Sequence, residues 1–510
     1  MVASADQLAT QAGLAAIALG GNAVDAAIAT NAALAVTGPH LCGMGGDLFA
    51  LVHDGERVHA LNSSGRAGSG ASAAALRADG HPEMPFRHDV RTVTVPGCVD
   101  GWCALHERFG RLPLVQVLAP AIRLAEQGFP ASMLLVGSLA MVDERARESL
   151  HELVSQARRP GDRVRRPGVA GALRSVAEHG RAGFYLGDFG RGLVGLGDGW
   201  FTDADLADPG HDWVTPLSWP AFGQVLHTMP PNSQGYLTLG AAGLASRLQL
   251  PADPDDPHWA HLLIEAAKVA GRDRPTVLHD RADGGMLLEA IAERFGEIDP
   301  ERATPLMPRQ RQGDTTYLCT VDDDRMGVSL IQSNASGFGS WVVEPTTNIN
   351  LHNRGLGFSL EEGHPAEIGP RRRPPHTLSP ALATGDGGRL ASVFGTMGGD
   401  AQPQILLQLA TRLFHHRQSP AVALNAGRWI LDGPVTGFDT WTGEGGPHVL
   451  LEGHVPPAWH GHLDDLGHRV ETSPSWSSDF GHAHAIVVGD DGMLTGAADP
   501  RSRVGSVAGM

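Results

Sequence analysis

Small apolar residues crowd the first forty positions. The Ala-rich stretches 6–19 and 23–36 read as two helices, and Gly20-Gly21-Asn22 breaks the chain between them. Side chains this small let helices pack closely. Residues 48–53 and 57–61 then flank Asp54-Gly55, the turn chemistry of a tight hairpin. Residues 114–127 carry apolar side chains at helical spacing and stop at Gly128, a C-cap residue. Further helical patterns occupy 261–269 and 286–295. A polar, Pro- and Arg-rich run from Asp299 to Asp314 follows, and it reads as an exposed linker.

Beyond the linker the period changes. Residues 316–321 and 326–333 read as strands joined by the acidic turn 322–325. Residues 390–394 and 485–488 also read as strands, with a helix at 404–414 between them. That order predicts a sheet covered by helices.

Composition narrows the class. The 510 residues are 42% hydrophobic and 19% charged, which supports a sizeable core and excludes wholesale disorder. Length alone suggests roughly three domains or one large layered fold. A net charge of −17 argues against a nucleic-acid or anionic-membrane partner. Of 39 basic residues only Lys268 is lysine, a skew that points to no function by itself. Four cysteines, Cys42, Cys98, Cys103 and Cys319, show no CxxC spacing and are too few for a disulfide framework, so a reducing compartment is the simpler reading. The opening residues lack a positive n-region and apolar core, and a cytoplasmic location is expected.

Chemistry concentrates at Gly313-Asp314-Thr315-Thr316-Tyr317. A hydroxyl that follows a linker and opens a buried strand becomes a new N-terminus if the chain is cut before it. Thr315 would then hold a nucleophilic oxygen and its own base, the freed α-amine, whose ordinary pKa is about 7.7–8.0. An ordinary strand-initiating Thr fits the spacing as well. If Val321 and Met326 close the turn, Thr315 falls opposite Gln332, within one residue. Ser333 and Asn334 are then placed to bond its hydroxyl or amine. Downstream, Gly395-Thr396-Met397-Gly398-Gly399-Asp400 follows a strand, and its paired glycines leave backbone N–H groups able to hold an oxyanion. His482 and His484 alternate on one strand face, but no carboxylate or Cys completes a metal site with them, and they read as structural. The acidic turn reads as solvated. No metal or cofactor is expected.

Seven markers in order carry a resemblance. They are Gly20-Gly21-Asn22-Ala23-Val24-Asp25-Ala26-Ala27, Gly43-Met44-Gly45-Gly46-Asp47, Thr94-Val95-Pro96-Gly97, Met229-Pro230-Pro231-Asn232-Ser233-Gln234-Gly235, Asp314-Thr315-Thr316, Met397-Gly398-Gly399 and Asp499-Pro500-Arg501. With these the chain resembles the γ-glutamyltranspeptidase family of N-terminal-nucleophile hydrolases nearly end to end. The resemblance implies an α+β fold, a four-layer αββα sandwich. It implies a zymogen that cuts itself between Asp314 and Thr315 into a large subunit, 1–314, and a small subunit, 315–510, which together form one interleaved domain. Thr315 would be the nucleophile, Ser333 its supporting hydroxyl, and Gly398 and Gly399 the oxyanion hole.

The departures from the family pattern bear on substrate. Gly357 stands where the family has an Asp that holds a glutamyl α-amine, and Arg354 replaces a neutral or acidic residue. The family's paired serines appear as His376-Thr377. Arg66 falls where an Arg binds the donor's α-carboxylate, and a guanidinium suits that task. Arg66, Arg354, His376 and Thr377 are therefore the expected substrate-binding residues, with the first three forming an anion-binding wall. The stretch between Phe358 and His376 also looks about ten residues short for the family's lid loop. These changes resemble the acylase-like branch, with cephalosporin-acylase-type and oxamate-amidohydrolase-type members. The expected substrate is a small amide whose acyl group bears a carboxylate but no α-ammonium. A true γ-glutamyltransferase or glutathione hydrolase is the alternative, and a non-catalytic binding protein of the same fold is a lower one. The partners expected are the two subunits of one precursor, with a higher homo-oligomer compatible with the branch.

Overall fold

The computed structural model describes residues 1–304, 314–432, 441 and 448–510. Two antiparallel sheets lie face to face. The seven-stranded sheet runs Ser506–Ala508, Val2–Ser4, Asp314–Val321, Gly327–Ala335, Asp47–His53, Val58–Ser63, Asp212–Val214. The six-stranded sheet runs Leu494–Ala498, Ala483–Val488, Leu390–Thr396, Ala381–Thr384, Gln224–Thr228, Leu217–Ala221.

Side-chain alternation assigns the layers. Tyr317, Cys319, Val321, Ile331, Phe49 and Leu51 point to a core shared with Leu382, Val393 and Ile486 of the other sheet. Their neighbours Leu318, Val328, Leu330, Leu48, Ala50 and Val52 point the opposite way, onto a core built with the N-terminal helices. A third core joins the six-stranded sheet to the helices Tyr236–Ala245, Pro257–Gly271 and Gln402–Ala410. Three cores between four layers make the αββα sandwich, and the reading of 510 residues as three domains gives way to it. Each sheet contains strands from both before and after residue 314, so neither stretch completes a sheet alone.

The predicted helices stand close to where their patterns put them. Gln7–Ala18 is capped by Asp6, and Ala23–Thr37 opens on a capping box between Asn22 and Asp25. Close packing of the pair depends on Gly13, where a Cβ would meet Thr30 Oγ1 at 2.3 Å. The region 404–414 is the helix Gln402–Ala410 continued by a π-turn at Thr411–His415. One register differs from expectation. Gly327, and not Met326, pairs with Val321, because the turn is odd-length with Arg325 at φ 63°. The turn is also drier than expected. Asp322 is buried, accepting from the Met326 N–H at 3.0 Å and, across the fold, from the Ala23 N–H at 2.9 Å.

Candidate active site

The one-residue correction moves Ser333 beside Thr315. Gln332 pairs with Thr316 and Ala335 with Asp314, so the bulge between them presses Ser333 toward the Thr315 side chain. The two hydroxyl oxygens lie 3.1 Å apart, and the Ser333 oxygen also accepts from the Ala335 N–H at 2.8 Å. Both residues are buried. Asn334 turns away. Its side-chain amide donates to the Pro39 carbonyl at 3.0 Å and its backbone N–H to that of Leu41. Of the two expected supports, the side chain that meets Thr315 is Ser333.

Across the next strand, Ser333 pairs with Asp47. Glycines allow this close stack, since a Cβ on Gly46 would stand 2.2 Å from the Ser333 carbonyl oxygen. One oxygen of the Asp47 carboxylate gathers the Arg354 Nε at 2.7 Å, the His376 Nε2 at 3.0 Å and the His352 Nδ1 at 3.6 Å. Burial alone would raise the Asp47 carboxyl, but Arg354 and then His376 reverse it, leaving it well below the ordinary carboxylate range. His376 is held down to about 3, by burial first and Arg354 second, and stays neutral. Its Nε2–H faces Asp47 while its Nδ1 accepts from the Leu378 N–H at 3.2 Å.

Of the residues expected to form an anion-binding wall, Arg354 is ion-paired with Asp47, and burial followed by Arg354 holds His376 neutral. Arg66 sits at the surface on Asp212, at 2.7 Å. Neither Arg66 nor Thr315 is among the residues lining the cleft beside Thr377. Thr377 does line that cleft, and its oxygen accepts from Arg354 Nη1 at 3.0 Å. The cleft holds about 570 Å³ and is walled by Gly357, Phe358, Pro375, Arg274 and Glu361 as well. At Gly357 a Cβ would stand 2.2 Å from the Pro375 carbonyl oxygen, so no side chain fits where an ammonium-binding carboxylate was looked for.

The glycine loop reaches the same end from the other sheet. Gly395 has no room for a Cβ over the Tyr317 ring, at 2.2 Å, while Gly327 at the far end of the hairpin faces Leu390 and Val393. The strand Leu390–Thr396 therefore runs toward the Thr315 end, and Met397-Gly398-Gly399 leaves it there. Gly398 at φ 134° and Gly399 at 55° take conformations that favour glycine. Gln234 Nε2 donates to the Gly399 carbonyl at 3.0 Å and to that of Thr377 at 2.9 Å. Hydrogen bonds thus link Asp47, Arg354, Thr377, Gln234 and Gly399. The pattern of residues singled out Thr315, Ser333, Gly398 and Gly399. It quoted Asp47 and Gln234 only as markers and Asp400 only as the end of the glycine run, and it did not reach Arg274.

Of the remaining candidates, His482 bonds Ser478 and His484 takes the Asp499 N–H, both buried, in keeping with structural roles. One group with metal-ligand types occurs among the described residues, His261, Glu265 and His468. Lys268 occupies it, with Nζ 2.9 Å from Glu265 Oε1, 3.0 Å from the Thr304 carbonyl and 3.3 Å from His468 Nδ1.

A four-layer αββα sandwich with a buried Thr opening a central strand and a glycine loop at the same end defines an N-terminal-nucleophile hydrolase. The family model for γ-glutamyltranspeptidase matches residues 9–510. The oxamate amidohydrolase proenzyme of Klebsiella pneumoniae subsp. pneumoniae is 36% identical, over 100% of this chain and 98% of its own length. The glutathione hydrolase-like YwrD proenzyme of Bacillus subtilis is 35% identical, over 98% and 97%. Among solved structures, cephalosporin acylase from Bacillus halodurans superposes with a TM-score of 0.90 at 34% identity, over 99% of this chain and 95% of that one. The chain belongs to the γ-glutamyltranspeptidase family and is an enzyme. No helix among the described residues is long and apolar enough to cross a membrane.

Proposed function

We propose that the chain is a self-processing amidohydrolase with Thr315 as its nucleophile. The observation that carries this is the buried Thr315–Ser333 hydroxyl pair, 3.1 Å apart near the start of a central strand. In processing, the Thr315 hydroxyl adds to the Asp314 carbonyl and displaces the Thr315 nitrogen, giving an ester. Water cleaves the ester, leaving the Asp314 carboxylate and a free Thr315 amine. In turnover that amine takes the hydroxyl proton as the oxygen attacks the substrate carbonyl. The N–H groups of Gly398 and Gly399 receive the oxyanion, the proton passes to the departing amine, and water hydrolyses the acyl-enzyme. Ser333 orients the attacking oxygen.

The acyl group we infer carries a carboxylate and no α-ammonium. Gly357 leaves no space for an ammonium partner, and Arg354 stands behind the cleft wall. Because the Thr377 oxygen accepts from Arg354, its hydroxyl hydrogen is available to donate to a carboxylate in the cleft. The Klebsiella relative, named for oxamate, and the cephalosporin acylase neighbour support this reading. A γ-glutamyl donor is the second reading, supported by the glutathione hydrolase-like Bacillus relative.

Two measurements test the proposal. On a denaturing gel the active protein runs as two pieces, 1–314 and 315–510, and Thr315→Ala abolishes both the cut and the activity. An intact band from active enzyme refutes it. Paired chromogenic anilides, one glutaryl and one γ-glutamyl, differ by the α-amino group alone. Faster turnover of the glutaryl compound is expected, and a strong γ-glutamyl preference selects the second reading.

A further inference from the structure

Within the glycine loop the Ala401 N–H donates to the Gly398 carbonyl at 3.0 Å, and side chains from elsewhere add to that hold. Gly398 and Gly399 both lie at positive φ, conformations that favour glycine. Two side chains from before residue 314 reach the loop. Gln234 holds the Gly399 carbonyl, as described. Arg274 faces the next residue, with its Nη2 2.9 Å from Asp400 Oδ1. Asp400 is fully buried and the Arg274 side chain is 9% exposed, so the pair is nearly dry. Arg274 opens the short helix that follows Pro257–Gly271, and it lines the cleft beside Thr377 and Gly357.

That place invites two roles. As a guanidinium on the cleft wall, Arg274 could receive the donor's carboxylate. As the partner of Asp400, it could set the peptide that precedes Asp400, which is the carbonyl end of the oxyanion loop. The second role fits better. Asp400 already balances the charge of Arg274, and the Arg274 Nε is shut from solvent without a hydrogen-bond partner. Shifting Asp400 would turn the Gly398 and Gly399 amides, whereas a ligand on Arg274 would have to compete with a buried carboxylate.

We propose that Arg274 is a positioning residue for acyl transfer, which acts through Asp400 to aim the Gly398 and Gly399 N–H groups and does not bind the donor. This rests on reading those glycines as the oxyanion hole. An ion pair from the large piece thereby tunes a loop of the small one.

The test is steady-state kinetics of the cleaved enzyme with two anilide donors, glutaryl, which has a carboxylate, and butyryl, which lacks one. Arg274→Met is expected to lower kcat by about 10²-fold for both donors while KM moves little, as when an oxyanion donor is lost. Arg274→Lys should recover part of the loss, and Arg274→Met with Asp400→Asn should be no slower than either alone. The isosteric Asp400→Asn supplies the same measurement if Arg274→Met does not fold. A KM rise confined to the glutaryl donor, or an unchanged kcat for both, overturns the proposal. Wild-type enzyme inert toward both donors overturns instead the acyl-transfer reading beneath it.

Discussion

Asp47 and Glu265 are both carboxylates shut off from solvent, and each faces one cation and two histidines. Asp47 has Arg354, His376 and His352, and Glu265 has Lys268, His468 and His261. Their bonding differs. Glu265 uses both oxygens, one for Lys268 and one for the Thr304 N–H at 3.1 Å. With His468 Nδ1 taking a Lys268 proton, its Nε2–H can serve His261 Nδ1 at 2.8 Å, and His261 Nε2–H the Asp299 carbonyl at 2.9 Å. Every polar atom in that chain has a partner. Asp47 instead crowds its donors onto Oδ2, and Oδ1 has no hydrogen-bond partner among the described residues.

Position explains the contrast. The Glu265 set ties residues 299–304 to the C-terminal part of the chain, since the Ala303 N–H also donates to the Leu466 carbonyl at 2.8 Å. A clamp gains from complete bonding. The Asp47 set lies one strand pairing from Ser333, and its bonds run on through Arg354, Thr377 and Gln234 to the glycine loop.

The largest expected effect tests the Asp47 side. Asp47→Asn leaves the buried Arg354 guanidinium without its counter-charge, a loss of about 3–5 kcal/mol when one partner of a buried pair is removed. Urea unfolding should shift to a lower midpoint, and anilide turnover per folded molecule should collapse with it. Normal turnover by folded Asp47→Asn would erase the distinction drawn above.

Lys268→Met makes the matched test. It strips the cation from Glu265, and a stability loss of about 3 kcal/mol is expected. Turnover per folded, cleaved molecule should stay within about twofold of wild type, because the clamp touches no reacting group. A large fall in kcat without a stability change would place Lys268 in the catalytic machinery and break the comparison from the other side.

How much of this was legible differs by region. The paired N-terminal helices and the Asp54-Gly55 hairpin could be read directly, because cap, breaker and turn residues act locally. The strands on either side of Asp322 were legible as strands, but both of their faces are buried, and the pattern gave no hint of which face met which layer. Thr315 fell within the one-residue tolerance of its expected place opposite Gln332, and the exact register depends on a left-handed Arg325 in the turn that leaves no local signal. Arg354 and His376 were named as candidate site residues, but their tie to Asp47 was not legible. Their partner Asp47 lies 307 and 329 positions away, and only the fold brings it to them. Lys268 drew no functional reading for the same reason, since its meaning lies in Glu265, Thr304 and His468 together.

The smallest effect separates the two clusters by acid. His376 is held to about 3 and His468 to about 2, burial being the main cause in each, with Arg354 and Lys268 next. Both folded values lie below the ordinary 6.5, so the unfolded chain binds protons that the native one refuses. Stability from the neutral rings is therefore fully present above about pH 6.5. It is lost as pH falls toward the folded values, at about 1.4 kcal/mol per histidine for each pH unit. Urea midpoints taken at pH 7.5, 6 and 5 should fall in that order for wild type. Lys268→Met removes the cation beside His468, so that ring can protonate at a higher pH, and with the series extended to pH 4 and 3 the midpoint should fall less steeply there than in wild type. Arg354 is untouched in this variant, and His376 keeps its share of the slope. An identical slope in the two proteins would show that burial alone keeps His468 neutral, and that Lys268 serves Glu265 and Thr304 without tuning the ring.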